Sequence, residues 1–157
     1  METMYWLEET PLALWVGESL WAYPFLLSLH VMGLAILAGV FIMLDMRLLG
    51  SFRQIRIDSL LPAVRFAWIG FVLNAMSGAL LFTSQASYLI TNRPFLIKIT
   101  MIFIGVILAA IIQRRLRDAG AAGVDRAISG GTKAVAAVSL TMWIGAIVTG
   151  RLIAYLV

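Results

Sequence analysis

Residues 23–50 read YPFLLSLHVMGLAILAGVFIMLDMRLLG, and this stretch decides the fold class. Its apolar run is long enough to cross a bilayer, since a membrane-spanning helix needs about 20 predominantly apolar residues. The run also carries His30, the only histidine of the chain. A titratable side chain inside a span is costly and indicates a functional site. The sequence therefore predicts a membrane protein with a site at the depth of His30.

The composition of the whole chain supports the same class. Of the 157 residues, 62% are hydrophobic and only 13% are charged, whereas a soluble domain has about 25% charged residues. The absence of cysteine excludes disulfides, thiolate metal sites and haem attached through a CxxCH motif. Nucleic acid is not an expected partner, because the basic residues cluster beside apolar spans. The first residues, METMYWLEET, are acidic where a cleavable signal peptide is basic.

The apolar pattern predicts four spans, at about residues 24–44, 66–84, 94–112 and 134–157. A shorter helix at 11–20 precedes them, because Thr10 and Pro11 are a hydroxyl cap followed by a proline at the first helical position. This helix is too short to span, and Trp15 and Trp21 suit the membrane interface. The predicted fold is an all-α, integral membrane four-helix bundle, a single domain over 1–157, with a short N-terminal interfacial helix.

The distribution of Lys and Arg predicts the orientation of this bundle. Most of these residues fall in or beside the two long connections, between the first and second spans and between the third and fourth. The positive-inside rule places such connections in the cytoplasm. We therefore expect both termini on the outer side of the membrane.

Three spans carry polar or soft side chains to the same outer half of the bilayer. His30 lies six residues beyond Pro24, which is roughly 9 Å along a helix. Lys98 and Met101 of the third span and Arg151 of the fourth lie at a similar depth. One acidic and four aromatic residues lie at or above this layer: Glu18, Trp21, Tyr23, Tyr88 and Tyr155. Gly33, one turn below His30, lacks a side chain where a flat ligand fits against the helix.

Each of these residues also has a purely structural interpretation. Lys98 and Arg151 can extend to the nearby interface. His30 can hydrogen-bond a neighbouring helix, and Gly33 can serve close packing between helices. The sequence alone leaves both interpretations open.

The motifs resemble a known family. The chain resembles small bacterial inner-membrane proteins of unassigned function over nearly its whole length. The motifs that carry the resemblance are LWAYPFLLSLHVMGLAILAG, followed by LDMRLLG, then TNRPFLIKI and WIGAIVTGRLIAY. SLHVMGLA is also loosely similar to the histidine-bearing helix of CopD-type copper-resistance proteins, which share a general plan with cytochrome b561-like proteins. The resemblance implies a multi-pass protein of the bacterial inner membrane. b561-type proteins use several histidines, whereas this chain has only one. A bis-histidine haem within one subunit is therefore excluded.

The leading functional hypothesis is a haem b protein for membrane electron transfer. His30 is the expected axial ligand through its neutral imidazole, with Met101, water or a second chain completing the iron. Lys98 and Arg151 are expected to pair with the propionates. Trp21 or Tyr23 would then cover the edge of the macrocycle.

Three alternatives remain from the sequence. One is a non-catalytic structural or assembly subunit, a homo-oligomer or part of a larger membrane complex, held in the lipid bilayer. The second is copper handling, in which His30 and thioethers bind copper(I). The third is a quinone site with His30 as a hydrogen-bonding group. Hydrolytic catalysis is not expected, because no nucleophile with a base and an orienting acid occurs at one depth; whether the protein is an enzyme stays open.

Overall fold

The computed structural model describes residues 2–121 and 129–153, and every regular element in them is an α-helix. The helices, in chain order, are α1 (Glu2–Glu8), α2 (Pro11–Glu18), α3 (Ala22–Leu49), α4 (Ile57–Thr83), α5 (Ala86–Thr91), α6 (Arg93–Ala121) and α7 (Gly130–Leu152). Four of them are long and apolar enough to cross a membrane: α3, α4, α6 and α7. The all-α bundle predicted from the sequence is confirmed, and the protein is a multi-pass membrane protein.

The helix ends follow local sequence signals. Thr10 caps α2 by accepting a hydrogen bond from the Ala13 N–H, and Pro11 is its first residue, as predicted. Ser129 caps α7 in the same way, through the Thr132 N–H. Gly50 ends α3 at a φ of 107°, a left-handed conformation that glycine adopts without steric cost.

The long helices extend beyond the predicted spans. α3 runs five residues past Leu44, and α4 begins nine residues before Phe66. Two short helices, α1 and α5, lie where the sequence showed an acidic N-terminus and a turn. The end of the bundle with α1, α2 and α5 is called the α5 end below, and the end with the loop 50–56 is called the basic end.

The packing makes two antiparallel helix pairs. α3 packs closely on α4, α6 packs on α7, and contacts between α3 and α7 join the pairs. α4 meets α6 through long side chains instead: the Trp68 indole N–H donates to Gln113 Oε1 at 3.3 Å, and Phe82 stacks on Phe95 with ring centroids 5.8 Å apart.

An aromatic layer crosses the middle of the bundle. Phe41 of α3 stacks on Trp143 of α7, with ring centroids 5.5 Å apart and an angle of 6° between the rings. Trp68 and Phe71 of α4 extend the layer by edge-on contacts. Gly105 of α6 makes room for the indole, since a β-carbon there would lie 3.2 Å from Trp143 Cε2. This layer separates polar residues on the α5 side from polar residues on the basic side.

Many large apolar side chains point away from the bundle. Met76, Phe66 and Phe103 are more than 60% exposed. Exposed apolar faces of this size mark contact with another apolar phase, and on spanning helices that phase is lipid. Trp6 and Trp21 are likewise exposed at the α5 end, where indoles suit the membrane interface.

Candidate functional site

His30 is held between α3 and α4 in a defined tautomer. Its Nδ1 lies 3.0 Å from the Asn74 carbonyl oxygen and 3.3 Å from Ser77 Oγ. A carbonyl oxygen can only accept a hydrogen bond, so Nδ1 carries the proton in this contact. In the neutral imidazole, Nε2 then keeps its lone pair. His30 therefore presents an accepting nitrogen in the half of the bundle nearer the α5 end.

Asn74 binds back to the same turn of α3. Its Nδ2 donates to the His30 carbonyl oxygen at 2.8 Å and lies 3.3 and 3.4 Å from the two ring nitrogens. Asn74 is 6% exposed and Ser77 is 1% exposed, so both side chains are buried. Gly78 of α4 makes room for the imidazole, since a β-carbon there would lie 2.9 Å from Cε1 of the ring. The imidazole is thus fixed by three residues of one turn of α4.

Lys98 of α6 faces this group from the other helix pair. Its ammonium is near enough to His30 to interact with it electrostatically. The aliphatic part of Lys98 runs along Gly150 of α7, where a β-carbon would lie 3.4 Å from Cδ. Lys98 is half-buried. Among the side chains that the structure describes, the ammonium has no hydrogen-bond acceptor and no ion-pair partner. The group His30, Asn74, Ser77 and Lys98 is called the histidine cluster below.

Gly33 does not border open space. A β-carbon at Gly33 would lie 2.8 Å from the Asn74 nitrogen and 2.8 Å from the Gly70 carbonyl oxygen. The backbone of α4 therefore occupies the face at which we expected a flat ligand. The packing interpretation of Gly33 describes the observed contact.

Met101 packs on α7. A β-carbon at Gly145 would lie 2.7 Å from the Met101 sulfur. Met101 therefore contributes to the α6–α7 contact, in which its thioether fills the space that Gly145 leaves. The region of the chain that the structure describes has no group of three or more His, Asp or Glu side chains close enough to hold a metal ion.

Three of the remaining predicted residues lie around the α5 end. Arg151 is exposed in the last turn of α7, directly after the Gly150 that Lys98 covers. Trp21 is 78% exposed, and the hydroxyl of half-buried Tyr23 accepts a hydrogen bond from Gln85 Nε2 at 3.4 Å. Tyr155 lies outside the described residues. A groove of about 580 Å³ opens at the same end, lined by α5, the start of α6 and the end of α7.

The structure brings Lys98 within electrostatic reach of His30 and gives His30 partners that the sequence analysis did not assign to the site. Asn74, Ser77 and Gly78 were the missed residues. Their spacing of three and four residues places them on one face of α4. In an antiparallel pair, residues at equal distances along the chain from the connecting loop lie at the same level. These residues and His30 are about equally far from the loop 50–56, and this relation is the signal that could have identified them.

A comparison with protein families adds the relationship. A family model described as a family of unknown function, DUF6644, matches residues 6–156. The chain belongs to this family. The expected family of unassigned function is therefore confirmed over nearly the whole length of the chain. Comparisons with curated proteins and with solved structures gave no match.

Proposed function

We propose that this DUF6644 protein binds the head group of a lipid-soluble quinone at the histidine cluster. The observation that carries the proposal is the Lys98 ammonium, which is near enough to His30 to interact with it electrostatically and has no acceptor among the described side chains. A donor left unsatisfied in a low-dielectric interior is costly. A ligand oxygen that accepts a hydrogen bond from Lys98 would offset this cost.

The two facing groups offer complementary hydrogen bonding. Lys98 donates, and Nε2 is the ring nitrogen of His30 that accepts, because Nδ1 is committed to the Asn74 backbone carbonyl. A ligand hydroxyl at Nε2 would replace the 3.4 Å contact from Asn74 Nδ2. A quinone carbonyl accepts from an ammonium, and a quinol hydroxyl donates to an imidazole nitrogen. The bound quinone would supply the redox chemistry. The chain itself positions the head group, and His30 is able to take a proton from it. By the predicted orientation, this site lies in the outer half of the membrane.

A haem b protein for electron transfer is the second candidate, favoured by the same tautomer. A ligating histidine usually donates its other ring N–H to a carbonyl or carboxylate, as His30 does to Asn74. His30 would hold the iron, and Lys98 and Arg151 would pair with the propionates. The macrocycle does not fit against Gly33, because α4 fills that face. It would have to lie on the side of α6, which α4 meets through side chains. The loose likeness to CopD-type and b561-like proteins belongs to this candidate.

The test uses purified full-length protein in detergent. Binding of a short-tailed ubiquinone is followed by quenching of the tryptophan fluorescence, in the wild type, Lys98→Met, His30→Ala and Arg114→Met. Losing a hydrogen bond to a charged group costs about 1.5–3 kcal/mol, so we expect Lys98→Met to weaken binding about tenfold or more. Arg114, an exposed cation on the same helix near the basic end, is the matched control and should leave binding unchanged.

Other outcomes separate the alternatives. An absorption spectrum of the oxidised and dithionite-reduced wild type with a Soret band, absent in His30→Ala, would establish haem instead. Copper in stoichiometric amount by metal analysis, lost in the same variant, would establish copper handling. Equal quinone binding by wild type and Lys98→Met, without haem or copper, would contradict the proposal and leave a structural subunit, alone or in an oligomer.

A further inference from the structure

A second polar group lies on the other side of the aromatic layer. Asp45 of α3 is 1% exposed, and neither of its carboxyl oxygens has a hydrogen-bond partner in the described part of the chain. Ser139 of α7 is fully buried, and its hydroxyl likewise lacks a partner there. A buried carboxyl without partners is rare in folded proteins and calls for an explanation.

Asp45 and Ser139 are opposite each other in the α3–α7 contact. Phe41 and Trp143 stack in the aromatic layer, and one helical turn toward the basic end brings α3 to Asp45 and α7 to Ser139. The hydroxyl is near enough to interact with the carboxyl, although the two do not reach hydrogen-bond geometry. A small adjustment of either side chain would pair them.

No cation neutralises Asp45 among residues 2–121 and 129–153. On α3 itself, the Arg47 guanidinium donates to the Ile55 carbonyl. The basic side chains on the other helices near this end are exposed: Arg65 on α4, Lys133 on α7, and Arg114, Arg115 and Arg117 on α6. A carboxylate buried without a positive partner costs several kcal/mol or more, so its ionised form is poorly accommodated here.

We propose that Asp45 is a proton-binding site whose carboxyl group is protonated, and therefore neutral, in the packed bundle. The Ser139 oxygen then accepts a hydrogen bond from the carboxyl O–H. Proton binding is a bond between the proton and one carboxylate oxygen, and the proton comes from the solution at the basic end. Asp45 lies four residues from the end of α3, which is about 6 Å of helix, so the path to that solution is short.

The chemistry of the site favours a proton over a metal cation. The described side chains offer two carboxyl oxygens and one hydroxyl, whereas hard cations gather about six or more oxygens. One turn from Ser139 on α7, the buried Trp143 indole can only donate a hydrogen bond and has no acceptor in the described region. The site is independent of quinone or haem binding at the histidine cluster.

The test is infrared spectroscopy of the full-length protein across a pH series. A protonated carboxyl has a carbonyl stretch that an ionised carboxylate lacks. We expect this band at neutral pH in the wild type, its loss in Asp45→Asn, and a shift in Ser139→Ala. Asp118→Asn is the matched control, because Asp118 is an exposed carboxyl on α6, and it should keep the band. A spectrum of Asp45→Asn identical to that of the wild type would overturn the proposal.

Two further measurements keep the result decisive. If Asp45→Asn does not fold, wild-type protein is treated with dicyclohexylcarbodiimide, which reacts with protonated carboxyls in apolar surroundings, and the product is located by mass spectrometry. Modification of Asp45 that declines as pH rises supports the site, and pH-independent or absent modification refutes it. Loss of the infrared band on adding sodium chloride at constant pH would show a sodium site instead.

Discussion

Gly33 of α3 and Gly70 of α4 bring two helix backbones into direct contact. A β-carbon at Gly33 would lie 2.8 Å from the Gly70 carbonyl oxygen, and one at Gly70 would lie 2.8 Å from the Gly33 carbonyl oxygen. Small residues allow such approach between membrane helices, where packing rather than the hydrophobic effect drives association. This crossing places His30, one turn away, against Asn74.

Substitution of Gly33 should therefore destabilise the bundle. In Gly33→Ala the new methyl group would overlap backbone atoms, which cannot move as a side chain can, so we expect a loss of about 1–3 kcal/mol. Gly39→Ala is the control on the same helix, because its β-carbon would meet no described atom within 4 Å. Unfolding in detergent, followed by tryptophan fluorescence, measures both. Equal stability of the two variants would contradict the close crossing.

The fold was predictable because span length and hydrophobicity are local properties of the sequence. His30 and Lys98 could be proposed as members of one site because a titratable residue in a span is rare and its depth follows from residue counting. The role of Gly33 was not, since a glycine beside a ligand and a glycine beside a helix look the same in one sequence. Asn74 and Ser77 needed the register of α4 on α3, which only the packed structure gives.

The contacts between His30 and Asn74 should be energetically coupled. His30→Ala removes the imidazole and its bond to the Asn74 backbone carbonyl, whereas Asn74→Ala removes the 2.8 Å bond to the His30 carbonyl. Both variants remove the contact between the Asn74 amide nitrogen and the imidazole ring, at 3.3–3.4 Å. Interhelical hydrogen bonds in membranes contribute about 0.6 kcal/mol on average and up to about 1.7. A double-mutant cycle of unfolding free energies should give a coupling in that range. Strict additivity of the two free-energy changes would mean that the imidazole and the Asn74 amide do not interact.

Glu8 should fix α1 to α5. Its carboxylate accepts hydrogen bonds from both the backbone N–H and the hydroxyl of Ser87, each at 2.8 Å. Glu8→Ala removes both bonds, so we expect faster amide hydrogen exchange over α1. Glu9→Ala is the adjacent control, because Glu9 is exposed. The same exchange rate in the two variants would show that α1 is held by other contacts.

Lys98→Met should stabilise the protein while it weakens ligand binding. Methionine matches the length and flexibility of the aliphatic part of lysine, which is the part that contacts Gly150 most closely. It removes an ammonium that has no acceptor among the described residues, so the unfolding temperature in detergent should rise. Functional sites often reduce stability in this way. Lys133→Met, at an exposed position, should change the unfolding temperature little. A lower unfolding temperature for Lys98→Met, with Lys133→Met unaffected, would show that the Lys98 ammonium stabilises the bundle. The role of Lys98 would then be structural rather than ligand binding.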